Sequence, residues 1–109
     1  MGRASNILAA QARFYIVTQK REGQPGEARK QQSLHLYMKE VVILDMVSRV
    51  FGGSVHKHLH TYMWVVSKKE RLLDVAEHAF PFWKEHYQES NSKLRALFQW
   101  AYNQGLDIG

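Results

Sequence analysis

Three histidines at alternate positions, His56, His58 and His60, are the first candidates for chemistry in this chain. Imidazoles two residues apart on a strand share one face, where they can hold a metal or meet phosphates and bases. The metal reading is the weaker one. Leu59 and His60 fit a turn and no carboxylate lies close by in sequence, so no metal set is assigned. A partly protonatable contact patch, or a plainly solvated surface, fits better. Tyr15 and Tyr37 carry flat rings that can stack on bases or pair across strands. Lys20, Arg21, Arg29 and Lys30 bracket a loop that also holds Glu22 and Glu27, so phosphate contact competes there with simple solvation. Other chemistries are excluded. With no cysteine there is no disulfide, thiolate ligand or cysteine nucleophile. No Ser-His-Asp arrangement or paired-carboxylate motif stands out, and Gly52-Gly53 reads as a helix stop, not as a phosphate loop.

The elements that must position these residues follow from periodicity. The chain has 109 residues, enough for a single domain over 1–109 with its own core. The formal charge of +5 favours a polyanionic partner, although surplus lysine on a solvated surface accounts for it equally well. No apolar run approaches the roughly 18 residues of a membrane span, so no membrane contact is expected. Residues 13–19 are β-branched and aromatic, with Phe14 and Ile16 on one side and Arg13, Tyr15, Val17 and Gln19 on the other. Gly23, Pro25 and Gly26 punctuate a loop from Lys20 to Lys30. Residues 31–38 alternate again, Leu34, Leu36 and Met38 against Ser33, His35 and Tyr37.

From Glu40 the period becomes helical: Ile43, Leu44, Val47, Val50 and Phe51 form a stripe that Gly52-Gly53 ends. Residues 54–58 and 61–66 read as a second strand pair. Ser67-Lys68-Lys69-Glu70 has the form of a capping box, Leu72, Leu73, Ala76, Ala79 and Phe80 supply the next stripe, and Pro81 should stop that helix. Leu94, Leu97, Phe98 and Ala101 mark a last helix ending at Gly105, with a tail over 105–109. The expected fold is α+β, a four-stranded antiparallel sheet with helices on one face. Its other face would be open and polar: Arg13, Tyr15, Gln19, Ser33, His35, Tyr37, His56, His58 and Thr61. Such a sheet can lie in a DNA groove or against RNA. Trp64, Phe80, Phe82, Trp83 and Trp100 are assigned to the core, and Asp45, Asp74 and Glu77 to solvated helix surfaces.

Three strings in order, Leu44 to Val55, Tyr62 to Lys69 and Ala79 to Lys84, resemble the LAGLIDADG homing-endonuclease family, and the likeness runs from about Ile7 to Gly105. It implies an αββαββα unit and a nucleic-acid partner. The signature itself is eroded. Residues 1–12 take the place of the family's first helix, whose small residues pack helix against helix and whose terminal acid holds a divalent metal. Ala4, Ser5, Ala9 and Ala10 keep the small character, implying contact with a second copy or another chain. Gln11 falls where the family's Asp or Glu belongs, and Ala12 replaces the final glycine. His86, with Lys84 nearby, stands where the family places a basic residue, and Met38 where a polar one often ends the second strand.

The resemblance, with these departures, implies a nucleic-acid-binding protein without catalytic residues or cofactor. RNA is favoured over DNA because the open face is poor in arginine and lysine, as in a component of an organellar ribosome or intron complex. The alternatives are an active homodimeric endonuclease, which would need Mg²⁺, and a protein-interaction module. The resemblance implies an organelle, mitochondrion or plastid, and because Met1 to Leu8 is too short and too weakly basic for a signal or transit peptide, the protein is expected to be encoded there.

Overall fold

The structure is a computed structural model that describes residues 2–19 and 29–108. The elements run α1 (Gly2–Gln11), β1 (Arg13–Gln19), β2 (Arg29–Met38), α2 (Val41–Phe51), β3 (Ser54–His58) and β4 (Thr61–Val66). There follow α3 (Lys69–Phe82), a π-helical turn (Trp83–Tyr87), a 3-10 turn (Ser92–Leu94) and α4 (Arg95–Asn103). The strands form one antiparallel sheet in the order β1-β2-β4-β3. The ββαββαα order from β1 onward and the sheet with helices on one face are those the periodicity predicts, and α1 stands where the resemblance sets the first helix of an αββαββα unit. Among the described residues no helix is long and apolar enough to cross a membrane.

Alternation on the strands builds the core. Phe14, Leu34 and Val66 align across β1, β2 and β4, and Leu36 aligns with Trp64. All five are buried. Leu44, Val47 and Phe51 of α2, Leu72, Val75, Ala76 and Ala79 of α3, and Leu97, Phe98 and Ala101 of α4 close over them. The periodic stripes name most of these residues because an amphipathic helix buries one face. Ile16 is half exposed at 50%, so the helical cover does not extend far along β1.

Glycine does what the sequence suggests at the end of α2. Gly52 and Gly53 take φ of 77° and 89°, a region that penalises any side chain. A Cβ on Gly53 would lie 2.7 Å from Trp64 Nε1 and from the Val65 carbonyl oxygen. The chain can therefore turn against the indole only because no side chain stands there. Trp64 Nε1 donates to the Gly52 carbonyl at 2.8 Å.

Three expectations need correction. The capping box does not form: the N-cap of α3 is Lys68, no side chain caps the helix, and Ser67 stays exposed one residue earlier. Pro81 does not stop α3. It sits inside the helix, where a proline removes a single N–H donor. Beyond it the Trp83 amide still reaches the Ala79 and Phe80 carbonyls, and burial of the Trp83 ring, with its Nε1 donating to the Asn91 carbonyl at 2.9 Å, holds the continuation. Arg29 and Lys30 belong to β2, not to the preceding loop. Ala4, Ser5 and Ala9 are at most 2% exposed because α1 packs against α3 and the π turn of its own chain. Of the four small residues Ala10 alone remains half exposed. In the tail, Leu106 and Ile108 pack partly against the core.

Candidate nucleic-acid interface

Strand register assembles the face left uncovered by the helices. One row runs Arg13, His35, Val65 and Ser54, each opposite the next. Beside it lie Tyr15 opposite Ser33, the row Tyr37, Met63 and His56, and the pair His58 and Thr61. None of these residues is buried. The structure thus brings Arg13, Tyr15, Ser33, His35, Tyr37, His56, His58 and Thr61 to one surface. Gln19 pairs with Arg29 and Lys30 with Thr18 in the β1–β2 ladder, but the side chains of Gln19, Arg29 and Lys30, and the whole of Lys20 and Arg21, lie outside the described residues. Met63 and Val65 form a half-buried apolar floor at the centre of this face. The alternation of β4 signalled them, and attention to polar types alone passes over them.

Tyr15 and Tyr37 do not pair with each other; His35 stands between them. The Tyr15 and His35 rings meet edge to face at 4.9 Å, His35 and Tyr37 at 6.1 Å, and Tyr37 and His58 edge to face at 6.0 Å. The result is a ladder of four rings crossing β1, β2 and β3. His35 Nε2 lies 3.1 Å from Ser33 Oγ and Nδ1 3.4 Å from Tyr37 Oη, so in either neutral tautomer one nitrogen donates and the other accepts.

Burial among these groups lowers the His35 pKa from its ordinary value of 6.5, because desolvation disfavours the charged imidazole. The folded protein therefore takes up this proton less readily than the unfolded chain. The associated stability is fully present above pH 6.5 and is lost as pH falls toward the lowered value. The melting temperature should decline between about pH 7.5 and about pH 5.5, and His35→Gln should remove part of that decline. Equal declines in the two proteins would discount His35 as its source.

At one end of the sheet the face opens into a groove of about 660 Å³ lined by Ala10, Gln11, Arg13, Tyr37, Ser90, Asn91, Ser92 and Lys93. Gln11 is the last residue of α1 and is exposed. Asn91 builds the wall: its Nδ2 donates to the Ala9 and Ala12 carbonyls at 3.2 and 3.1 Å. A helix end leaves carbonyls without intrahelical donors, and this side chain supplies one to α1. Tyr87 Oη adds a second tie, donating to Asn6 Oδ1 at 2.8 Å. The side chains of Arg13 and Lys93 have no ion-pair or hydrogen-bond partner among the described residues. No sequence motif marks Ser90 to Lys93, which reach the groove through contacts with a helix some eighty residues away.

No protein-family model and no curated protein matches the sequence. Solved structures do match the fold. I-CvuI, a homing endonuclease in complex with the I-CreI target, superposes with a TM-score of 0.70 at 15% identity, over 93% of this chain and 64% of that one. I-TnaI, another homing endonuclease, gives 0.69 at 14%, over 94% and 71%. This is the LAGLIDADG homing-endonuclease fold. The meganuclease I-SmaMI bound to uncleavable DNA gives 0.67 at 14% identity, over 95% of this chain and 37% of its own. The chain thus spans less than two thirds of I-CvuI and little more than a third of I-SmaMI.

Within this LAGLIDADG fold the groove at the end of α1 is where the sequence resemblance sets the acid that holds a divalent metal. The polar groups of the described lining residues are amides, hydroxyls and two cations, with no carboxylate among them. Hard divalent cations are held by carboxylate oxygens that offset their dehydration, so this set does not fit the metal. Nor do His56, His58 and His60 come together as ligands. The described residues whose ligand atoms do converge, within 4.8 Å, are Asp74, Glu77 and His78 on α3, where His78 Nδ1 is engaged with the Asp74 backbone carbonyl at 2.8 Å.

Proposed function

We propose that this protein binds nucleic acid through the uncovered sheet face and does not cleave it. The observation that carries this is the groove at the end of α1, where Arg13 and Lys93 flank the neutral Gln11 and no carboxylate stands among the described lining residues. Cations without protein partners attract backbone phosphate, while a neutral amide offers poor support to a metal-activated nucleophile. RNA is the favoured partner, as a component of a ribonucleoprotein. The described side chains of the sheet face include one guanidinium and no lysine, whereas sequence reading in a DNA major groove rests most often on arginine or lysine. The supporting features of the face are rings and hydroxyls, the groups RNA-binding sheets use. Duplex DNA is the second reading, favoured by the DNA bound to I-CvuI and I-SmaMI in the matching structures.

The test is a binding series with RNA and with plasmid DNA at increasing salt, Mg²⁺ present throughout. Affinity should fall with salt, and Lys93→Gln should reduce the log–log slope by about one, the loss of a single phosphate contact. No cut product should form. Mg²⁺-dependent cutting lost in Gln11→Ala would establish an endonuclease instead, and salt-independent absence of affinity would leave a protein-interaction role.

A further inference from the structure

Resting on the nucleic-acid reading above, we infer that the Tyr15–His35–Tyr37–His58 ladder is a stacking platform for unpaired bases, so that the substrate class is single-stranded, not duplex.

The geometry of the rings comes first. Four of them run in unbroken contact across three strands, at centroid separations of 4.9, 6.1 and 6.0 Å. Two edge-to-face contacts and one tilted contact hold the rings against one another while leaving Tyr15 and Tyr37 39% and 37% exposed. Flat π surfaces fixed in this way recognise the faces of bases. In a duplex those faces are covered by neighbouring base pairs, and only edges and phosphates are presented to a protein. A row of exposed rings has little to contact there.

The second observation is the placement of charge. A protein that reads a duplex neutralises phosphates on both strands flanking the groove. Among the described side chains, Arg13 and Lys93 line the groove at the end of α1 together with Tyr37. This pair can hold one backbone beside the Tyr37 ring. The third is continuity. Tyr37 both lines the groove and belongs to the ladder, so a strand whose phosphate sits between Arg13 and Lys93 delivers its next base to the Tyr37 ring. Met63, directly opposite Tyr37 and His56, supplies apolar floor under that path.

The experiment measures anisotropy of labelled oligouridylate, oligothymidylate and a duplex of equal length on the full chain. Both single strands should bind at least about tenfold tighter than the duplex. The two single-stranded arms tell ribose from deoxyribose, and base stacking predicts affinity for each. Tyr15→Ala and Tyr37→Ala should each weaken single-strand binding by roughly five- to a hundredfold, the loss of one base–ring stack. Tyr37→Phe should stay within about threefold and Tyr37→Leu should fall with the alanine variant, since a planar ring and not apolar area is required. Both tyrosines are exposed, so unchanged melting of the variants confirms intact folding. Tighter duplex binding that ignores the ring substitutions overturns this inference and leaves nucleic-acid binding standing; no affinity for any of the three probes removes both.

Discussion

Replacing Trp64 with alanine should destabilise the protein by about 3–5 kcal/mol, the usual range for truncating a buried aromatic side chain. Trp64 is the largest fully buried side chain, at 0% exposure. It sits on β4 opposite Leu36 and Val55, at the centre of the sheet's covered side. Its loss leaves a cavity lined by residues on strands and helices whose backbones are fixed by their own hydrogen bonds, so collapse into the space is limited. It also strips the Gly52 carbonyl of its 2.8 Å donor and removes the indole against which Gly53 turns. Trp64→Phe should cost less, about 1–3 kcal/mol, because ring volume remains while the hydrogen bond is lost. Denaturant midpoints with unchanged slopes would measure both. A loss below about 1 kcal/mol for the alanine variant would show that Trp64 is not the keystone of the core.

Asn91→Ala should cost about 2–4 kcal/mol and weaken nucleic-acid binding as well. The amide serves two carbonyls, those of Ala9 and Ala12, and both residues are fully buried. Leaving buried acceptors unpaired costs about 1–3 kcal/mol each where water cannot replace the donor. The groove wall that holds Ser92 and Lys93 beside Gln11 would lose its anchor to α1, so affinity should fall even though Asn91 is not a cation. Asn91→Asp makes the cause visible. Its carboxylate would face two carbonyl oxygens at the negative end of a helix, so at neutral pH it should destabilise at least as much as alanine. Acidification should then relieve the defect, because the protonated acid regains one donor. Equilibrium unfolding at neutral and acidic pH checks both variants. An aspartate variant insensitive to pH would mean that the Asn91 amide does not cap α1.

The sheet was legible because burial there follows a strict period of two. Leu34 and Leu36, then Trp64 and Val66, announce the covered side, and the same alternation puts Ser33, His35 and Tyr37 on the open one. The start of β2 was not legible, since Arg29 and Lys30 have no apolar partner in the pattern; their pairing with Gln19 and Thr18 extends a ladder seeded further along. Pro81 misled because local propensity forbids what tertiary burial of Trp83 enforces. Ala4, Ser5 and Ala9 are a different case: small side chains announce close helix packing without naming a partner, and within this chain α1 packs against α3 and the π turn. The face was therefore readable residue by residue, but the groove was not. Its wall comes from Ser90 to Lys93, a polar stretch without periodicity that acquires its position through one asparagine. The ring ladder lay between these cases, for alternation placed Tyr15 and Tyr37 on one surface while the intervening His35 emerges only from the cross-strand register.

All three indoles lie away from the open sheet. Trp64 and Trp83 are buried, Trp100 packs beside Phe14 at 6.0 Å, and the exposed rings on the other side are phenols and imidazoles. Indole emission, excited selectively, will follow unfolding and remain largely blind to an occupant of the sheet, whereas tyrosine emission will be quenched by one. The molecule therefore carries separate optical reporters for integrity and for occupancy, and a titration can distinguish a ligand that binds from one that denatures without any label being attached.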